Sequence, residues 1–282
     1  MTGAVHVGYD RHDYIADGNL QQQERLLLHL FDPLDSLVIF DVGACEGENA
    51  VRYGRLFPQA HVYAVEPVPG NFALLLRTAE RYGAANVTPI DACLSDDEAE
   101  AELHVSSGTP PQFVDGNAEW DFGNKSSSLL SPGEVSSVHP WLEFRETIAV
   151  TTTRLDKLAL RLGVTHVDFL HMDVQGAELK VMQGAGTLLM RTSAVWLEVE
   201  AVPLYVGQPL ATELESFLRR HGFVRLLDTV RDASGDQFWC RASWLRARKG
   251  VAFVALAWLK QSPVLAKVIR RVGRLCSAGG RM

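Results

Sequence analysis

The chain is predicted to fold as an α/β protein, a doubly wound and mostly parallel Rossmann-like sheet with helices on both faces, on three observations. Short apolar runs alternate with helix-length amphipathic segments from residue 36 to residue 241, the order that builds right-handed strand–helix–strand crossovers. The first run, Leu37–Phe40, is continuously apolar, as a strand covered on both faces is. It ends at Asp41 and leads through a glycine turn into a helix.

Each element has its own signal. Leu20, Leu27, Leu28 and Phe31 fall near helical spacing with glutamines between them, and Asp32-Pro33 stops that helix. Glu48–Phe57 is helix-length and leads to a second strand, His61–Val65, closed by Glu66-Pro67. Asn71–Tyr82 is a helical pattern, Asn86–Ile90 a strand, and Asp156–Leu162 a short helix. Val167–Met172 is a strand, Ala177–Met190 a helix broken by Gly184 and Gly186, and Ala194–Val199 a strand. Thr212–His221 is a helix ended by Gly222, with Phe223–Leu227 and Gln237–Arg241 as final strands. Ser106–Trp141 breaks the rhythm, being rich in Ser, Gly and Pro with Trp120 and Trp141 embedded. A loop this long in a compact domain is commonly a binding lid, so residues 106–141 are expected to be one. The organisation expected is an N-terminal helical extension (1–35), a catalytic domain (36–245) and a C-terminal tail (246–282).

Composition narrows the function. With 47% hydrophobic and 22% charged residues, the chain is an ordinary globular one and not a disordered or polytopic membrane protein. Cys45, Cys93, Cys240 and Cys276 form no CxxC pair, which argues against a zinc ribbon or disulfide scaffold and for a reducing, cytoplasmic setting. The start, Met1–Leu20, lacks the pattern of a secretory signal. The net charge is −7, yet residues 246–282 hold nine Lys or Arg and no acid, leaving 18 basic against 34 acidic residues in the remainder. So acidic a body does not favour a nucleic-acid backbone as partner.

Strand carboxyl ends, where such sheets bind ligands, carry Asp41, Glu66, Asp91, Asp173 and Glu200. The turn Asp41-Val42-Gly43-Ala44-Cys45-Glu46-Gly47 follows a strand and opens a helix, the context of a nucleotide-type cofactor. A nicotinamide fingerprint would read GxGxxG, but Cys45 holds the position of its second glycine. Asp41, Glu46, Glu48 and Glu66 also crowd the turn with negative charge, which opposes a diphosphate at the helix N-terminus. S-Adenosyl-L-methionine, a sulfonium cation with an ammonium group and no phosphate, fits better. Asp41 is expected to hold the ammonium, the backbone of Gly43, Ala44 and Gly47 to lie against the cofactor, and Glu66-Pro67 to take the ribose hydroxyls. Asp91 and Ala92 are expected near the adenine. The competing reading is that Asp41 and Glu66 merely cap helices.

With these residues in view, the chain resembles the FkbM family of S-adenosylmethionine-dependent methyltransferases. The supporting segments are FDVGACEG at 40–47, AVEPVPGNFALL at 64–75, TTRLDKL at 152–158, DFLHMDVQGAELKVMQGA at 168–185 and WLEVE at 196–200. Two positions depart from the family pattern: His171 and Gln175 stand where relatives commonly carry Lys and Glu. The resemblance implies a class I methyltransferase sheet and methyl transfer, typically to a hydroxyl of a sugar, glycan or natural product. The rival readings are a nicotinamide-dependent oxidoreductase and a non-catalytic binder on the same fold.

Methyl transfer is an in-line displacement whose leaving thioether needs no acid, so the gain comes mainly from positioning. A hydroxyl is a poor nucleophile at neutral pH, and a base or metal must help remove its proton. His171 and Asp173 alternate onto one side of their strand. Asp173, which the resemblance marks, is expected as the base or a metal ligand, with His171 sharing the proton transfer. The alternatives are a helix cap for Asp173 and a hydrogen-bonded structural histidine for His171. Asp173, Glu198 and Glu200 together can supply oxygen ligands to a divalent cation such as Mg²⁺. Glu178 reads as support for the site and Asp156 as a helix N-cap. The stretch Gly123–Ser128 resembles a serine-bearing loop of the family and is expected to order over cofactor and acceptor.

In the tail, Val251–Leu259 is nine apolar residues, short of the about 20 that span a bilayer. Val264–Cys276 mixes apolar residues with Lys267, Arg270, Arg271 and Arg274. Such a basic amphipathic segment can lie on an anionic membrane surface or pack on the acidic body or on a second subunit.

Overall fold

The computed structural model describes residues 11–110 and 122–249. In chain order the elements are α1 (Arg11–Ala16), α2 (Gln22–Leu30), β1 (Val38–Val42), α3 (Glu48–Leu56), β2 (His61–Val65), α4 (Pro69–Arg81), β3 (Val87–Ile90), β4 (Cys93–Ser95) and β5 (Glu100–Ser107). After a short 3-10 turn, Phe122–Lys125, come α5 (Val135–Val138), β6 (Glu143–Arg154), α6 (Leu155–Arg161), β7 (Val167–Met172) and α7 (Glu178–Gly184). A second 3-10 turn, Gly186–Arg191, leads to β8 (Thr192–Glu200), α8 (Ala211–Arg220), β9 (Phe223–Asp228), β10 (Ser234–Arg241) and α9 (Ala242–Lys249).

Seven strands form the main sheet in the order β3-β2-β1-β7-β8-β10-β9. β1, β2, β3, β7 and β8 are parallel, and β10 runs antiparallel to both β8 and β9. The doubly wound reading therefore holds, and the topological switch lies between β1 and β7. The last two strands form a hairpin whose second member inserts beside β8. The burial pattern accounts for the apolar runs: Ile39, Phe40, Phe169, Leu170, Val195 and Leu197 are each fully buried, because helices cover both faces. Leu27, Tyr53, Phe57 and Phe238 pack on one face. Leu158, Val181, Leu214 and Trp239 pack on the other.

A second, three-stranded sheet, β4-β6-β5, stands beside the first. Sequence reading placed no strands there, because Glu100, Glu102, Glu143 and Glu146 interrupt the apolar pattern. They are tolerated because β5 and β6, which pair antiparallel from Glu100↔Thr151 to Ser107↔Glu143, leave Glu100, Glu102 and Glu146 exposed. The expected lid is thus the connection between two paired strands, and only its residues 111–121, with Trp120, lie outside the described residues.

The N-terminal helices are docked on the sheet domain. Arg52 of α3 donates to Glu24 at 2.7 Å and to the carbonyls of Tyr14, Asp17 and Asn19. At the other end α9 runs through the boundary expected after residue 245. The remaining tail, residues 250–282, with its expected membrane or subunit contact, lies outside the described residues. No helix among the described residues is long and apolar enough to cross a membrane.

Candidate active site

The ends of β1, β2 and β7 open on a cleft. It is lined by Gly43, Cys45, Glu66 and Pro67, by the apolar Val65, Ala92, Leu94 and Leu103, and by Asp173, Val174 and Ala177. Asn124, Lys125 and Ser127 of the expected lid also line it.

The glycine turn is shaped by close approach. Gly43 has φ +79°, and a Cβ there would sit 1.9 Å from the backbone oxygen of Asp173. No side chain fits where β1 and β7 diverge. Gly47, at φ +85°, starts α3, and a Cβ would meet Leu75 Cδ1 at 2.4 Å. Its close neighbour is Leu75 of α4, and it does not line the cleft. Ala44 is buried and Asp91 is exposed, and neither lines the cleft, whereas Ala92 does.

Glu66 ends β2 fully inside the protein, accepting the amides of Cys45 at 2.8 Å and Val68 at 2.9 Å. Burial pushes its pKa up to about 7, against those two hydrogen bonds. Asp41 is buried at the base of the turn: its Oδ1 is 2.8 Å from His171 Nδ1, while its Oδ2 has no hydrogen-bond partner among the described residues. A buried carboxylate oxygen left without a donor is costly. An ammonium group, directly or through water, would satisfy it. With the bare backbone at Gly43 and the carboxylate of Glu66, this orphaned oxygen fits S-adenosylmethionine.

The charge argument for the turn needs correction. Glu46 is ion-paired with Arg11 at 2.6 Å and Glu48 with Lys125. The carboxylates that crowd the turn in the sequence are thus largely compensated by cations brought from residues 11 and 125. What disfavours a nicotinamide dinucleotide here is Cys45, held at φ +47° in place of the glycine.

The structure does not bring His171 to the cleft. Its ring is buried, stacks parallel to Phe169 and meets Tyr53 edge-on. Burial works against its protonation, but the hydrogen bond and charge of Asp41 carry its pKa upward. It stands behind the turn and orients Asp41. Asp173, by contrast, lines the cleft and is solvent-accessible. Desolvation by the surrounding protein raises its pKa, while Gln175, His171 and Lys125 pull it the other way.

Around Asp173 lies a network that sequence reading did not find. Gln175 Nε2 donates to Asp173 Oδ1 at 2.6 Å and to Glu198 Oε2 at 2.9 Å. Tyr205 OH donates to Gln175 Oε1 and to the Ser126 carbonyl, and Ser128 Oγ donates to the Gln175 carbonyl at 2.7 Å. Glu200 is held instead by Gln208 Nε2 at 2.5 Å. Glu178 accepts the amides of Val174 and Gly176, as the supporting role expected of it requires. The metal set expected of Asp173, Glu198 and Glu200 is not assembled: the amide between the first two is a donor, and no three His, Cys, Asp or Glu among the described residues group as ligands. Gln175 carried a signal in its sequence position, two residues after Asp173. Tyr205 and Gln208, in an irregular stretch, carried none.

Burial, reinforced by neighbouring acids, raises Glu178 to about 7, Glu200 to about 8 and Glu198 to about 10, from 4.5. A carboxyl that keeps its proton in the fold but loses it in the unfolded chain makes stability fall by about 1.4 kcal/mol per pH unit. That stabilisation is complete below pH 4.5 and lost as pH climbs through each folded pKa. The expected result is a Tm that declines from pH 5 to pH 9 in calorimetric scans. Glu198→Gln, an isostere of the protonated acid, flattens the decline.

Residues 41–225 match the methyltransferase FkbM domain. Over 181 residues the chain is 34% identical to the 2-O-methyltransferase NoeI of Sinorhizobium fredii (strain NBRC 101917 / NGR234), covering 63% of this chain and 70% of that protein. It is 26% identical over 153 residues to Methyltransferase 1 of Beauveria bassiana (strain ARSEF 2860), covering 54% of this chain and 59% of that one. The crystal structure of methyltransferase FkbM from Methylobacillus flagellatus KT aligns with a TM-score of 0.42 at 14% identity, over 75% of this chain and 45% of that chain.

Proposed function

The chain belongs to the FkbM methyltransferase family and is an S-adenosylmethionine-dependent methyltransferase, and from that premise we propose that it methylates oxygen, at a hydroxyl of a sugar, glycan or natural product. The observation that carries this reading is Asp173, a solvent-accessible carboxylate that lines the same cleft as Glu66. The 34%-identical relative NoeI is a 2-O-methyltransferase, which supports this reading.

Asp41, Gly43 and Glu66 would hold the cofactor, with Ala92 and Leu94 against its adenosine. When bound, S-adenosylmethionine supplies a methyl group on a sulfonium leaving group. The acceptor hydroxyl is positioned by Asp173, which takes its proton at Oδ2. Gln175 keeps the other oxygen, Oδ1, fixed at 2.6 Å. Asn124, Lys125 and Ser127, which also line the cleft, would help to exclude water. A cytoplasmic setting belongs to this reading, supported by the free thiols of Cys45, Cys93 and Cys240.

Incubating the enzyme with methyl-labelled cofactor and extracts rich in glycans and natural products tests the proposal. Label is expected in an ether that survives alkaline hydrolysis. Label recovered only on amines or carboxylates would overturn it.

A further inference from the structure

Glu46 sits in the glycine turn but does not line the cleft. It is fully buried, and two side chains distant in sequence converge on it. Arg11 of α1 donates to Oε2 at 2.6 Å, and Asn124 of the covering segment donates to Oε1 at 2.7 Å. The Asn124 carbonyl in turn accepts Asn71 Nδ2 from α4 at 3.0 Å. Asn71, Asn124 and the neighbouring Lys125 all line the cleft. Arg11 itself lies 30 residues before the matched family domain begins at residue 41.

We propose that Arg11 is a positioning residue which, through the buried Glu46 carboxylate, holds the cofactor turn and the covering segment 123–128 in one arrangement. The inference rests on the reading that this cleft takes S-adenosylmethionine. The physical reason is the cost of a buried charge. An ionised carboxylate removed from water needs a compensating cation and filled acceptor sites. Arg11 supplies the charge and Asn124 the second hydrogen bond. Without Arg11 the carboxylate must move toward water, which displaces the turn and takes from Asn124 the acceptor that seats the covering segment.

The test is titration calorimetry with S-adenosylhomocysteine, alongside hydrogen exchange of residues 123–128, on the full chain. Arg11→Met is expected to weaken binding about tenfold or more and to speed exchange in 123–128. The double variant Arg11→Met/Glu46→Gln leaves no charge uncompensated, and is expected to recover affinity to within about threefold of wild type. Tyr14→Phe removes a hydrogen bond from the same helix to Asn49 without touching Glu46, and is expected to change neither readout. Should Arg11→Met fail to fold, Arg11→Gln, which removes chiefly the charge, carries the same expectation. Unchanged affinity and exchange in the Arg11 variant, or no recovery in the double variant, would overturn the inference. Wild type that does not bind S-adenosylhomocysteine would sink the cofactor reading instead, and the exchange measurement still decides the coupling.

Discussion

Replacing Asp173 by Asn is expected to lower kcat by about 10²–10⁴-fold, the usual contribution of a positioned general base, while S-adenosylhomocysteine affinity stays near wild type. The amide has the shape of the carboxyl and can still accept from Gln175 at one oxygen, so the cleft keeps its form. What it lacks is the ability to take the acceptor's proton. The pH profile gives an independent signature. Asp173 must be ionised to act, and its pKa is raised by desolvation. The wild-type rate should therefore fall on acidification at a pH above the ordinary aspartate value of about 3.9. The residual rate of Asp173→Asn should show no such limb. Full activity in the variant would mean that the fold binds cofactor and acceptor without using this carboxylate, and would favour a different base.

Gly43→Ala is expected to be strongly damaging. The residue sits at φ +79°, and the added Cβ would meet the Asp173 carbonyl at 1.9 Å. The left-handed backbone alone costs an L-residue about 1–2 kcal/mol, and the clash is with backbone that cannot swing aside. Either β1 and β7 separate at their carboxyl ends, which dismantles the cofactor turn, or Asp173 is pushed from its position in the cleft. A loss of about 3 kcal/mol or more in denaturant unfolding, together with loss of S-adenosylhomocysteine binding, is the expected outcome. Gly70→Ala is the matching control: nothing lies within 4 Å of a Cβ there, and the position is within α4, where alanine is the better helix former. It should be neutral or stabilising. A Gly43→Ala variant as stable as wild type would show that the turn can open without cost.

How much of this was legible beforehand depends on the range of the forces involved. Strands β1, β2 and β7 and helices α3, α4 and α8 were readable almost to the residue, because burial on both faces of a parallel sheet imposes continuous apolar runs. Glu66 and Asp173 were readable as cleft-lining residues because strand ends in such a sheet all point to one edge. The sheet β4-β6-β5 was hidden by exposed glutamates that interrupt its apolar pattern. The pairing of Glu46 with Arg11 and of Glu48 with Lys125 was hidden by sequence distance, and with it the compensation of a turn that looks strongly acidic in one dimension.

The linear order of residues by itself therefore determined the doubly wound architecture, the glycine turn and which strand ends carry carboxylates, since periodicity and backbone sterics act between near neighbours. Only the tertiary structure decided which of those carboxylates face the cleft. His171 turned behind the turn to Asp41, Gln175 came between Asp173 and Glu198, and Arg11 reached the cofactor turn. Hydrogen bonds and ion pairs are made between atoms a few ångströms apart in space, and sequence separation places no limit on which atoms those are.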